Sequence, residues 1–474
     1  MLFNSFIFLI FFIVLYLLYH TLHERYKKSI LLIGSIIFYG AWDYLNFETL
    51  IPRFLLLFLF TIYINFLCLK GMENTESRTK KKLFLSLAVI YDVSNLMFFK
   101  YFYFFAGVLG HIIGIEDLEK VTRDKFHIIL PIGISFYTFQ IIAYLVDYYR
   151  GQIKEKTTLT DFSLFILFFP QQIAGPILRS TEFMPALRTG LQFTEERVVP
   201  GLGLVGLGLI KKVLLADSIA EIINPIYASP GSYHGMAIVA ATIGFSIQIW
   251  GDFSGYSDIA RGLGHLLGFD LPKNFTGPYF STGFAEVWVR WHITLSRFLR
   301  DYLYIPLGGN RVSPWRSYLN SVLTMLIAGF WHGANWTFVI WGGLWGVMIA
   351  LERSVLDRFS WWKETGGILS IIIKMFIVHS FWLICAPIFR ISKISDYSDM
   401  LYNVFHTGSS PKVNFETLSY LFLLFLILHY IEYKPEVLEK IKRPLPYILV
   451  GAFILFFALT SFASRSVKFY YFQF

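Results

Sequence analysis

The stretch LNSVLTMLIAGFWHGANWTFVIWGGLWGVMIALE, residues 319–352, holds two apolar runs joined by a short polar turn, WHGANW at 331–336. A helix needs about 20 mainly apolar residues to cross a bilayer, so 319–334 and 336–352 are each barely long enough. Basic sequence lies before the pair and again in ERSVLDR at 352–358, so both ends read as cytoplasmic and the pair as a membrane hairpin. His332 then falls at or near the turn, well inside the protein. An ionisable group at membrane depth is costly and tends to face a partner or a cavity. Gly329 and Gly333 flank it, and glycine lets backbone, ligand or a neighbouring helix come close. Two readings stay open at this point. A neutral imidazole near its operating pKa takes a proton from a hydroxyl; a structural one donates to a backbone carbonyl and pins two helices together.

The rest of the chain agrees with a membrane setting. Of its 474 residues, 55% are hydrophobic, 19% aromatic and only 15% charged, and the mean hydropathy is +0.56. Soluble domains carry about 25% charged residues, so this chain has too little polar surface to cover itself in water. The net charge of +9 lies in short blocks between apolar runs, which marks loops facing anionic lipid and argues against nucleic acid as a partner. Candidate spans are 3–19, 29–42, 50–69, 83–105, 128–148, 162–178, 200–216, 235–251, 319–334, 336–352, 368–389, 416–431 and 446–463. Allowing for re-entrant or interfacial segments, the expectation is an all-α polytopic transmembrane bundle of roughly eleven to thirteen membrane segments, built as one integral membrane domain over 1–474. HERYKKS, KGMENTESRTKKK and RGQIKEK are basic and DYLNFE is acidic, which places the N-terminus outside. The first apolar run lacks a basic leader and a small-residue cleavage site, so it reads as a retained helix. Cys68 and Cys385 sit within apolar runs and read as packing residues.

Three further stretches carry polar groups. Region 273–318 lacks a full span and holds Lys273, Arg290, Arg297, Arg300, Arg311 and Arg316, which makes it cytoplasmic. Within it, Trp288, Trp291, Leu295, Phe298 and Tyr302 recur at helical spacing opposite Arg290, Thr294, Arg297 and Asp301. That pattern predicts one amphipathic helix at the membrane face or wrapped into the bundle, with His292 at the border of its apolar stripe. LFFPQQIAGPILRS breaks an apolar run with Pro170, Gln171, Gln172, Gly175 and Pro176. Such irregular backbone must be buried in protein or line a wet cavity; it reads as a structural kink or as a substrate contact. The segment after 250 carries Asp252, Asp258, Arg261 and His265, with Asp258 and Arg261 spaced for a helical ion pair. Loop 391–415 reads as the most soluble segment and, by alternation, lies outside. No GxSxG elbow, phosphate loop, HExxH or Cys/His cluster is present, so common hydrolase, NTPase and metal chemistries lack their residues. Neither cysteine has a neighbour that would activate it.

At these residues the chain resembles the membrane-bound O-acyltransferase family, in its bacterial alginate O-acetyltransferase branch. FFPQQIAGPILRS, GYSDIARGLGHLLGFDLPKNF, VWVRWHITLSRFLRDYLYIPLGGNR and WHGANWTFVIWGGLWG occur in the family's order, and LFNSFIFLIFF with SIIFYGAWDY extends the similarity over most of the chain. AEVWVRWH departs from the more usual Phe-Trp-Arg-Arg-Trp-His run, and Asn335 stands where Ser is common. The resemblance implies a funnel-shaped bundle with a tunnel through the membrane. It makes His332 the catalytic base and gives His292 a part in binding or orienting substrates. It also implies a cytoplasmic acyl thioester as donor substrate, acetyl-CoA or a loaded carrier protein, with no permanently bound cofactor and no metal. The acceptor would be an exported or cell-surface polysaccharide, reached through an extracytoplasmic acetyltransferase partner at the bacterial cytoplasmic membrane. A D-alanyl transferase of teichoic acid type is the alternative within the class. Outside it stand a transporter without chemistry, for which inverted repeats would speak, and a structural scaffold.

Overall fold

The computed structural model describes residue 3 and residues 5–437, apart from 48–51, 174, 190–194, 364–365 and 407. Among the described residues the regular structure is helical. Seven helices among the described residues are long and apolar enough to cross a membrane: Arg53–Glu73, Arg78–Ile113, Glu196–Ala228, Met236–Leu266, Trp336–Arg358, Ile368–Arg390 and Phe415–Tyr433. Phe6–Thr21 is a shorter apolar helix. The segment expected at 446–463 lies outside the described residues. The chain is thus an all-α multi-pass membrane protein, and its described residues fall into two compact units, Met1–Gly206 with Ser257–Pro272, and Leu207–Tyr256 with the chain from Lys273 onward.

In the first unit, side chains at helix starts satisfy backbone donors that have no partner inside the helix. Ser5 Oγ accepts from Phe8 N at 3.2 Å, and Thr158 Oγ1 from Asp161 N at 3.1 Å. The run expected as a span at 162–178 is helical only through Leu167, and the described residues from Phe168 to Arg179 are irregular. The irregular stretch is buried: Phe168 and Phe169 are sealed from solvent, and Gln171 and Gln172 nearly so. Several of its polar groups find protein partners, as buried backbone must, while the Gln172 side-chain amide meets none among the described residues. Phe169 N donates to Ser35 Oγ at 3.2 Å. Gln171 Nε2 and Gln140 Nε2 both donate to the Phe165 carbonyl at 2.6 Å. Gly133 has φ +72 and lies so close to the Gln172 carbonyl that a Cβ would meet it at 2.7 Å, so glycine serves both the turn and the close approach. Asp258 and Arg261 form the expected ion pair at 3.2 Å.

The second unit is organised around the hairpin. Its arms are Pro314–His332 and Trp336–Ser354, close to the bounds the apolar runs suggested. Asn335 Oδ1 caps the second arm by accepting from Thr337 N at 3.0 Å. The arms touch backbone to backbone: a Cβ on Gly329 would run into the Phe338 carbonyl, and one on Gly342 into the Met325 carbonyl. Small residues at such crossings let membrane helices pack tightly where no hydrophobic effect drives them together. Asn335 Nδ2 donates to the Ser392 carbonyl at 2.9 Å, so the hairpin tip lies at the same end as the C-terminus of Ile368–Arg390. Loop 391–415 carries a helix, Ile394–Phe405, seated through Met400, which is buried, and through Gly235 N donating to the Asn403 carbonyl at 2.8 Å.

Candidate active site

The amphipathic helix expected across 286–304 is broken at its histidine. One helix, Phe284–Arg290, ends before Trp291, and another, Ile293–Leu299, begins after His292, whose φ of 44° and ψ of 53° are left-handed. A residue with a Cβ pays roughly 1–2 kcal/mol for that conformation, so surrounding structure must hold it. Asn274 does so: its carbonyl accepts from Ile293 N at 3.0 Å, and its Oδ1 accepts from Thr294 N at 3.2 Å and Thr294 Oγ1 at 2.7 Å. The break turns the apolar stripe inward. Trp288, Trp291, Leu295 and Phe298 are all buried, and His292, expected at the stripe's border, is only 1% exposed. Its ring stands edge-on to Phe253 at 4.5 Å. Burial pushes the His292 imidazole down to about 3, so it is neutral at ordinary pH.

His332 is the last residue of its hairpin arm and is 4% exposed. Its ring meets Trp341 at 5.4 Å, Phe389 at 5.1 Å and Trp331 at 5.0 Å, each edge-to-face. Such T-shaped pairs are preferred by the ring quadrupoles. The imidazole lines a cavity of about 20 Å³ together with Phe245, Ile249, Trp291, Trp341, Trp382 and Phe389. That is room for about one water molecule. The structure thus brings the two sequence-derived histidines to one aromatic cluster. Trp331 packs against both, its ring 6.3 Å from that of His292, while Trp291, the neighbour of His292, forms part of the cavity wall.

The walls are held from behind. Trp382 Nε1 donates to Ser246 Oγ at 3.2 Å, and Tyr279 Oη donates to the Ser246 carbonyl at 2.5 Å. Tyr279 is itself gripped by two histidines the sequence reading passed over. Its N–H donates to His429 Nε2 at 3.1 Å, and its carbonyl accepts from His379 Nε2 at 2.5 Å. Both histidines lie inside apolar runs, the signal that singled out His332, but without a recognisable motif. A buried charge cluster was missed as well, apart from its member Asp252. Lys211 Nζ pairs with Glu432 Oε1 at 2.8 Å, and Lys212 Nζ with Asp217 at 2.7 Å and Asp252 at 2.5 Å. The two lysines lie in a π-helical stretch, Ile210–Asp217, a widened turn that often accompanies function. Among the basic residues of 273–318, Arg290 is bound to Glu286 at 2.7 Å and Arg300 to Asp301 at 2.6 Å. Glu286 is half-buried, which alone would raise its pKa. Hydrogen bonds from Thr282 and Arg290 outweigh this and hold the carboxyl below the usual range. Lys273, Arg300, Arg311 and Arg316 are exposed. Among the described residues no group of three or more His, Cys, Asp and Glu is placed to hold a metal ion.

Comparison with known proteins places the same region of the chain in a known family. The sequence model of the membrane-bound O-acyltransferase family matches residues 150–389, a span that includes both histidines. The probable alginate O-acetylase of Azotobacter vinelandii is 40% identical over 359 residues, covering 75% of this chain and 69% of that protein. A peptidoglycan O-acetyltransferase of Helicobacter pylori is 36% identical over 386 residues, covering 75% and 71%. A teichoic acid D-alanyltransferase of Streptococcus thermophilus is 30% identical over 244 residues, covering 48% and 58%.

Proposed function

The chain belongs to the membrane-bound O-acyltransferase family, and from that premise we propose that it moves an acetyl group from a cytoplasmic thioester to hydroxyls of an exported or cell-surface polysaccharide. The observation that carries this reading is the buried His332 imidazole lining a one-water cavity with aromatic walls. In the proposed step His332 accepts the proton of an acceptor hydroxyl while the hydroxyl oxygen attacks the thioester carbonyl. The new C–O bond forms, the C–S bond breaks, and the departing sulfur takes the proton back from the imidazolium. His292, neutral and fixed one ring away, helps orient the substrates.

The donor is acetyl-CoA or another acyl thioester, drawn to the exposed Lys273, Arg300, Arg311 and Arg316, whose charges suit phosphate groups. The acceptor side is the hairpin tip with residues 391–392, which the positive-inside pattern puts outside along with the N-terminus. A separate extracytoplasmic acetyltransferase is the expected relay to the polymer, and the bacterial cytoplasmic membrane the expected location. D-alanyl transfer from a carrier protein is the second reading, favoured by the similarity to the teichoic acid enzyme but over less of the chain.

The test is ester-linked acetate on cell-surface polysaccharide in wild type, His332→Ala and His292→Ala at matched membrane abundance. Acetate is expected to vanish in His332→Ala and to fall in His292→Ala. Undiminished acetate in a folded His332→Ala protein would return that imidazole to a packing role.

A further inference from the structure

We propose that Phe245 and Ile249 set the length of the acyl group, closing the site to chains longer than two carbons. The proposal rests on His332 being the base of an acyl transfer and names the feature of the same site that selects its substrate. The cavity beside His332 is about 20 Å³, room for one water-sized group. A methyl is of that size; each further methylene needs space that the walls deny.

Four of the walls are rings locked by neighbours. Trp382 is tied to Ser246 and stacks edge-on to Trp291 at 4.8 Å. Trp291 also meets Phe275 at 5.0 Å. Trp341 meets Phe389 at 4.9 Å and Trp288 at 5.6 Å, and Phe389 meets Phe338 at 5.0 Å. Swinging any of them to admit a longer chain would break several edge-to-face contacts at once. Phe245 and Ile249 come from another element, Met236–Leu266, where they stand one turn apart on the same face. Phe245 is 1% exposed and lies under the Arg390 guanidinium, 5.0 Å from its ring centre; Ile249 is 6% exposed. The imidazole's edge-to-face partners, Trp331, Trp341 and Phe389, belong to other helices, so shortening Phe245 or Ile249 enlarges the cavity without removing a ring that orients the base.

A hydrophobic pocket discriminates about 10- to 200-fold per methylene. In cells grown with propionate, which loads CoA and carrier thioesters alike, the wild type is expected to place acetyl on polysaccharide in at least about 10-fold preference to propionyl, corrected for the intracellular thioester ratio. Ile249→Ala and Phe245→Ala are expected to lower that preference by about 10-fold or more, read by mass spectrometry of acids released with mild alkali. Ile249→Val and Phe245→Leu carry the same ratio test with smaller shifts, should the alanine variants fail to accumulate in the membrane. An unchanged ratio in variants that still acetylate overturns the assignment of these walls, as does a wild type that transfers propionyl as readily as acetyl. Persistence of acetylation in His332→Ala would instead strike the underlying acyl-transfer reading, so the two failures are distinguishable.

Discussion

Replacing Glu432 by alanine tests whether the buried charge cluster holds the second unit together. Its carboxylate accepts from Lys211 Nζ at 2.8 Å, Ser254 Oγ at 2.5 Å, Trp250 Nε1 at 3.1 Å and Gly277 N at 3.0 Å. These donors come from three separate parts of the chain, and the side chains of Lys211 and Glu432 are only 1% and 9% exposed. Truncating one member of a buried pair leaves the other charge uncompensated and costs about 3–5 kcal/mol. The stranded indole and backbone N–H groups carry desolvation penalties of their own, about 1–3 kcal/mol each where water does not reach them. Such penalties within one network do not add simply, so the expected loss is about 3–5 kcal/mol. Glu432→Gln keeps an acceptor oxygen and is expected to lose less. The double variant Lys211→Met with Glu432→Gln removes the orphaned charge and is expected to recover part of the loss, because an apolar replacement of a buried pair is often neutral. The assay is unfolding in mixed micelles followed by circular dichroism, with the three variants compared under one condition. A Glu432→Ala protein within about 1 kcal/mol of wild type, the worth of a surface pair, would refute the view that this cluster is buried and structural.

Two further expectations follow from the geometry. Gly342→Ala drives a methyl into the Met325 carbonyl across the hairpin, so it should destabilise by about 1–3 kcal/mol as overpacked sites do and should reduce acetylation with it, measured by micelle unfolding and ester-linked acetate. For His292, the folded-state pKa of about 3 lies below the ordinary imidazole value of 6.5. The unfolded chain therefore binds the extra proton first as pH falls, and stability is retained above about pH 6.5 and lost progressively between there and about 3; a pH series of thermal unfolding should be flatter in His292→Gln, and an equal slope would contradict this burial.

What the sequence determined is what depends on neighbours along the chain. Composition and hydropathy fixed a membrane protein, because no rearrangement of so few charged residues can coat a soluble surface. The hairpin and its buried His332 were legible because two apolar runs, a six-residue polar turn and close-packing glycines are all local. The break at His292 was not legible. The spacing from Trp288 to Tyr302 fits one continuous helix, whereas Asn274, distant in sequence, supplies hydrogen bonds that hold a left-handed residue there. Tertiary structure likewise decided which walls close on His332. Phe245, Trp291, Trp341, Trp382 and Phe389 are ordinary aromatic residues of an aromatic-rich chain until four separate segments bring them together. The same holds for Lys211 and Glu432, whose sequence separation hides a pairing that low dielectric and close contact make strong.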